Sequence, residues 1–392
     1  MSFLCAARAA LVGQSVLRRI LPLVAVVILA GLSLSCGNSS HGTPTGPNHN
    51  AYVTVPQKGS VLLLHINGTT GAITLGAQTP QVQDTTPTGL ALLPSKKFLY
   101  AVNSFANTIS IFNVASDGTL TLTGTPTQAG GSSPNAAVID PSGKYLLVTN
   151  NLTDNVSVFS IDSGSGALSP VGSPVPANAN PAEILITPSG KFVYVTNPGI
   201  GMVTAFTFSN GALTEVKPGS PFFSGAGAFG LAVDGSERFL YVANPSASNP
   251  PPSSTTGNIS GFNIDPSTGA LTTQILGSPF TATNGSLPSA IAVDPSGRYV
   301  YATTAGSSFS IWCFSITSTN GQLVAVPNSP FSLTSGGLFA LFDPSGNYFY
   351  IGSSGSNGIA GYTYNPSTGA PTVISGSPFS TGTPPGKMVL SE

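Results

Sequence analysis

The segment Leu99-Tyr100-Ala101-Val102-Asn103 returns as Leu146-Leu147-Val148-Thr149-Asn150, as Val193-Tyr194-Val195-Thr196-Asn197 and as Leu240-Tyr241-Val242-Ala243-Asn244. Each closing asparagine lies 47 positions after the one before it. Weaker copies stand at Tyr52-Val53-Thr54-Val55, Val300-Tyr301-Ala302-Thr303-Thr304 and Phe349-Tyr350-Ile351-Gly352-Ser353, which makes seven. A fixed period of this length is the mark of a repeat architecture. Working outward from the Tyr-Val strand, a Pro-x-x-apolar segment such as Pro288 to Val293 precedes it through the turn Asp294-Pro295-Ser296-Gly297, whose Pro and Gly supply the turn's backbone angles. A third strand follows with period-2 alternation, as in Val156-Ser157-Val158-Phe159-Ser160-Ile161. Tight turns at Thr268-Gly269, Asn210-Gly211, Asn320-Gly321 and Thr368-Gly369 lead into a fourth strand. That strand ends in Gly-Ser-Pro-Phe at 219–222, 277–280 and 376–379, where a proline fits an outer edge because no ladder donor is required.

Four short antiparallel strands repeated seven times predict an all-β, seven-bladed β-propeller. The domain opens at Ala51 on a second strand, and the missing first strand appears at the far end as Pro385 to Leu390. Pairing of the N- and C-terminal strands would close the ring and leave few open edges. The propeller is therefore expected over 51–392. The main interruption of its period is Asn244 to Thr304, which spans 60 positions, the excess falling in a Pro/Ser/Thr loop at 245–257, a candidate contact surface or a mere excursion.

Composition agrees with this architecture. The 392 residues include 46 Gly and 34 Pro, which turns consume, against only 6% charged residues. With 12 Lys+Arg against 13 Asp+Glu, no cationic excess is available to neutralise phosphates, so nucleic-acid binding is excluded. The chain is expected to act as a monomer.

Residues 1–36 read as a signal peptide: Arg8, Arg18 and Arg19 precede an apolar run from Ile20 to Leu34, too short for an ordinary membrane span. Leu32-Ser33-Leu34-Ser35-Cys36-Gly37 resembles the bacterial lipoprotein signal, with Ser33 where a leucine is usual; Cys36 is the expected lipidation site, an ordinary cleavage site being the alternative. Residues 37–50 read as a tether. An exported, lipid-anchored protein of the periplasm or outer cell surface is expected, touching membrane through its anchor alone. Beyond Cys36 the one cysteine is Cys313, so no internal disulfide braces the propeller.

The Tyr-Val-Thr-Asn strands, Asp-Pro-Ser-Gly turns and Thr-Gly-Ala-Leu turns make the chain similar to the lactonase-type propellers, the 6-phosphogluconolactonase-like family, over 51–392. The resemblance implies the fold; the same repeats serve enzymes and non-enzymes. Enzymes of this type carry a Pro-Arg-His-like motif at the start of an inner strand. The aligned positions here are Gly89, Ala136, Glu183, Gly230, Ala290, Phe339 and Lys387, with no histidine. His41 and His49 fall in the tether and His65 on a third strand. General-base work would then fall to Glu183 and oxyanion stabilisation to Lys387. These two are expected across the tunnel from each other, bracketing a ligand without touching; a pair that merely lines the funnel is the alternative. On the same rim, Asp84 and Asp154 are further ligand-binding candidates. Asn103, Asn150, Asn197 and Asn244 would either line an amide mouth for a polar ligand or cap turns through their own backbone. No metal-ligand spacing or cofactor motif is visible, so neither a metal nor a cofactor is expected. The function expected from this reading is a module binding a small polar ligand or an envelope protein; the alternatives are a hydrolase opening a sugar lactone and, second, a structural surface protein.

Overall fold

The repeated Tyr-Val segments form the second strand of every blade, among them His49–Val55, Phe98–Asn103, Phe192–Asn197 and Tyr348–Ser353. The computed structural model describes residues 46–80, 86–245, 257–281, 286–306 and 309–391. The signal segment, Cys36, the tether through residue 45, Asp84 and residues 246–256 of the long loop lie outside the described residues. Second strands are apolar without alternation because neighbouring blades cover both faces: Leu99, Tyr100 and Val102 are all fully buried. Seven hydrophobic clusters result, each joining two adjacent blades.

The ring closes as the repeat predicts. His49–Val55 pairs antiparallel with Met388–Ser391 in the register Ala51↔Leu390 and Val53↔Met388, so blade 1 takes its inner strand from the C-terminus. Around this seam Ala51, Val53 and Leu64 of blade 1 pack on Tyr348, Tyr350 and Ile359 of blade 7.

Two features go beyond the expected blade. The outer strand is broken: in blade 5 Leu271–Gln274 pairs with the third strand, and Phe280–Thr281 pairs with that same strand further along. The serine of Gly-Ser-Pro-Phe bridges the gap, since Ser278 Oγ accepts the Gly261 amide at 3.0 Å. Ser220, Ser329 and Ser377 do the same for Ala205, Cys313 and Gly361, so the buried donor stays paired where the ladder fails. The motif therefore starts a separate two-residue strand and does not end the fourth. Second, the domain begins before Ala51. His49 pairs with Ile66 and Asn50 with His65, and the Gly46 amide donates to Gly68 O at 3.1 Å. His49, expected in the tether, thus opens blade 1, and its Nε2 lies 2.6 Å from Asp343 Oδ2 of blade 7.

Candidate functional site

Inner strands of neighbouring blades approach each other closely, and this fixes what can stand there. A β-carbon on Gly89 would come within 2.8 Å of Asn135 O, and one on Gly230 within 2.8 Å of Ser289 O. Among the aligned positions, Glu183, Gly230, Ala290, Phe339 and Lys387 line a cavity of about 110 Å³. Five of the seven aligned positions therefore meet in one funnel.

Glu183 and Lys387 do not stand apart in it. Lys387 Nζ donates to Glu183 Oε1 as an ion pair. The expectation that they bracket a ligand without touching is corrected: the cavity is small, the rest of its lining is uncharged, and its two charged side chains reach each other. Both backbones are anchored alike. The Lys387 amide donates to Thr54 Oγ1 at 2.8 Å and the Glu183 amide to Thr196 Oγ1 at 3.1 Å. Thr196 Oγ1 donates in turn to Phe229 O of the next blade at 3.0 Å. Sequence reasoning passed over these threonines, although the signal was present in the Thr of Tyr-Val-Thr-Asn. Side-chain exposure is 17% at Glu183 and 33% at Lys387, so the pair is part-desolvated yet reachable by solvent. The arrangement offers a carboxylate that accepts a proton and an ammonium that donates three hydrogen bonds.

The amide mouth does not form. Asn103, Asn150, Asn197 and Asn244 are all buried, and their amides serve the blades. Asn103 Nδ2 donates to Ser110 Oγ at 2.9 Å and Asn150 Nδ2 to Ser157 Oγ at 2.8 Å. Asn197 Nδ2 donates to Ala177 O at 2.7 Å and Asn244 Nδ2 to Ser260 Oγ at 3.0 Å. A side chain at the end of a strand buried between blades turns toward unpaired groups there, and not toward the funnel. Asp154 is exposed but lies outside the axial cavity. Its Oδ1 accepts the Asn180 amide at 2.7 Å and its carbonyl the Ala177 amide at 2.9 Å, strapping the link into blade 4.

The funnel rim carries a second hollow that the sequence did not announce, about 620 Å³ between blades 2 and 3. Thr86, Thr88, Ser132 and Ser133 give it hydroxyls, while Phe105 and Leu152, 76% and 69% exposed, give it apolar walls. No charged side chain lines it.

The family model described as lactonase, seven-bladed β-propeller, matches residues 41–181 and 183–384. No curated protein is significantly similar. Solved structures are similar in fold. A candidate 6-phosphogluconolactonase from Bacteroides uniformis is 19% identical, with a TM-score of 0.73 over 88% of this chain and 100% of its own. Its counterpart from Bacteroides fragilis is 20% identical, with a TM-score of 0.72 over 88% and 98%. A periplasmic gluconolactonase from Pseudomonas aeruginosa is 18% identical, with a TM-score of 0.71 over 88% and 99%. At such identities the likeness establishes the fold.

Proposed function

The chain belongs to the lactonase family of seven-bladed β-propellers, and from that premise we propose that it opens a sugar lactone by hydrolysis, with Glu183 as base and Lys387 as electrostatic stabiliser. Family membership and neighbours named for lactone opening favour this over the binding module expected from the sequence. The observation that carries it is the Glu183–Lys387 pair at the axis. Glu183 takes a proton as water adds to the lactone carbonyl, and the Lys387 ammonium holds the oxyanion that forms. The ring C–O bond then breaks, the leaving alkoxide recovers the proton from Glu183, and one water has been consumed to give the hydroxy acid. A cavity of about 110 Å³ admits only the reacting edge of a ligand, since whole small-molecule sites run to roughly 300–1,000 Å³. No arginine lines either hollow, which favours an unphosphorylated aldonolactone, because bidentate phosphate recognition favours guanidinium groups.

One observation keeps the binding-module reading as second: none of the aligned funnel positions is a histidine. A pH-stat assay of the purified protein on aldonolactones separates the two. Turnover above the buffer rate that falls at least about 100-fold in Glu183→Gln, with ligand binding retained, supports hydrolysis. No turnover in the native protein, with ligand still bound, would establish the binding module. The apolar run 20–34 and Cys36 support export with lipid anchoring at the cell envelope; a Cys36→Ser protein that leaves the membrane fraction is the expected result.

A further inference from the structure

On the rim opposite the funnel, one position recurs at the end of each one-to-two turn. It is Lys97, Lys144 and Lys191 in blades 2 to 4, Arg238 and Arg298 in blades 5 and 6, and Asn347 in blade 7. Arg238 and Arg298 are the only arginines between residues 46 and 392. They stand in neighbouring blades and line the same cavity of about 460 Å³, together with Ser236, Ser296 and the turn glycines Gly235 and Gly297.

Both guanidinium groups are held in one orientation. Arg238 Nε donates to Ser236 Oγ and Arg298 Nε to Ser296 Oγ, each at 2.9 Å. The serines in turn donate to Asp234 and Asp294. Each guanidinium also lies over the ring that follows it, 4.7 Å above Phe239 and 5.7 Å above Tyr299. Arg238 Nη2 reaches across to Ser318 O at 2.9 Å, while no described residue accepts from the Nη groups of Arg298. Neither arginine has a carboxylate ion-pair partner among the described residues. Asp234, the one carboxylate lining the cavity, is 4% exposed and already accepts the Arg238 and Phe239 amides at 2.7 Å each. A chain with 6% charged residues thus fixes two guanidinium groups without a direct carboxylate partner around one cavity, with hydroxyls beside them. Guanidinium, unlike the lysine ammonium of blades 2 to 4, presents paired donors that match a tetrahedral oxyanion.

We infer that the cavity between Arg238 and Arg298 binds a phosphate group. It is separate from the lactone site, lies on the other rim and stands whether or not the chain hydrolyses lactones. Two sources share this chemistry, a soluble phosphate ester and a phospholipid headgroup. Calorimetric titration of the full-length chain in neutral detergent tests it, with inorganic phosphate in one arm and micelles doped with phosphatidylglycerol in the other, against potassium chloride of equal ionic strength. Saturable binding is expected in at least one arm, weakened about tenfold by Arg298→Lys or Arg238→Lys and unchanged by Lys144→Met. Saturation by inorganic phosphate assigns a soluble ester; saturation by the doped micelles alone assigns the headgroup. Both arginine variants conserve charge on an exposed turn, and unchanged thermal melts exclude misfolding. No saturation in either arm, or lysine variants that bind like the native chain, would overturn the assignment.

Discussion

The hydroxyl of Tyr350 donates to the carbonyl of Gly71 at 2.9 Å, joining residues 279 positions apart across the seam where the ring closes. The bond recurs around the ring: Tyr52 donates to Gly118, Tyr100 to Gly166, Tyr194 to Gly269, Tyr241 to Gly321 and Tyr301 to Gly369. Each runs from the second strand of one blade to the three-to-four turn of the next. Blade 3 has Leu147 in this place and makes the contact with rings, Tyr145 edge-on to Phe208 at 5.7 Å. Tyr350→Phe removes the donor and leaves a buried carbonyl unpaired, so it should cost about 1–3 kcal/mol. Urea unfolding of the variant against the native chain measures this, and an unchanged midpoint would refute a bracing role.

Gly71 itself should tolerate no side chain. Its φ is +69°, and a β-carbon there would come within 2.4 Å of the Tyr348 ring. Gly71→Ala combines left-handed backbone strain with a clash against the seam, so a loss larger than about 1 kcal/mol is expected in the same unfolding assay. Gly172, also at positive φ (+68°) but with nothing near its would-be β-carbon, provides the comparison: Gly172→Ala should cost only the backbone strain.

These contacts explain which parts of the molecule were legible in the sequence. Strand order, blade number and ring closure follow from residues that repeat, because each copy of Tyr-Val-Thr-Asn or Thr-Gly-Ala-Leu meets the same surroundings. The Tyr-to-Gly bond was present in both motifs, though reading either strand alone could not show that the two meet. His49 was lost for the opposite reason: it stands in a Gly/Pro/Asn stretch without periodicity, and its partner Asp343 lies in the last blade. The Glu183–Lys387 contact depends on how far two side chains reach between blades 4 and 1. The repeat gave their position and not their separation.

The His49–Asp343 contact makes the seam sensitive to pH. The bond to Asp343 raises the imidazole above its ordinary 6.5, against burial and the charge of Lys96, which lower it. Burial pushes the Asp343 carboxyl upward, but bonds from His49 and Ser345 hold it below its ordinary 3.8. Nδ1 faces Pro47 O at 3.3 Å, an atom that can only accept, so each N–H of the protonated imidazole has an acceptor. The imidazole's contribution is complete below pH 6.5 and fades as pH rises through its folded value. That of the carboxyl is complete above pH 3.8 and fades as pH falls through its own. Thermal melts of His49→Gln against the native chain should therefore differ most between about pH 4 and 6.5 and converge in alkali. A difference that grew with pH would contradict the charged pair.

Cys313 should be inert in the folded protein. Burial pushes its thiol up to about 12, and Sγ donates to Gly369 O at 3.3 Å. Alkylation at pH 8 followed by peptide mapping should leave the Cys313 peptide unmodified until urea unfolds the chain. Labelling without denaturant would mean that the seam between blades 6 and 7 opens.

Thr196 and Thr303 occupy the same place in the repeat and should respond oppositely to the same change. Thr196 Oγ1 receives the Glu183 amide and donates to Phe229 O. Thr196→Val therefore leaves a donor and an acceptor unpaired, at a cost of about 1–3 kcal/mol. It also frees the backbone that aims Glu183 at Lys387, so any lactone turnover should fall in kcat more than in KM. Thr303 Oγ1 is buried with no partner among the described residues. Thr303→Val keeps the shape and removes an unsatisfied hydroxyl, so its unfolding midpoint should stay level or rise. Paired unfolding curves decide the matter: equal losses in both variants would mean that the hydroxyls count only as packing volume, and that the Thr196 bonds do not position the site.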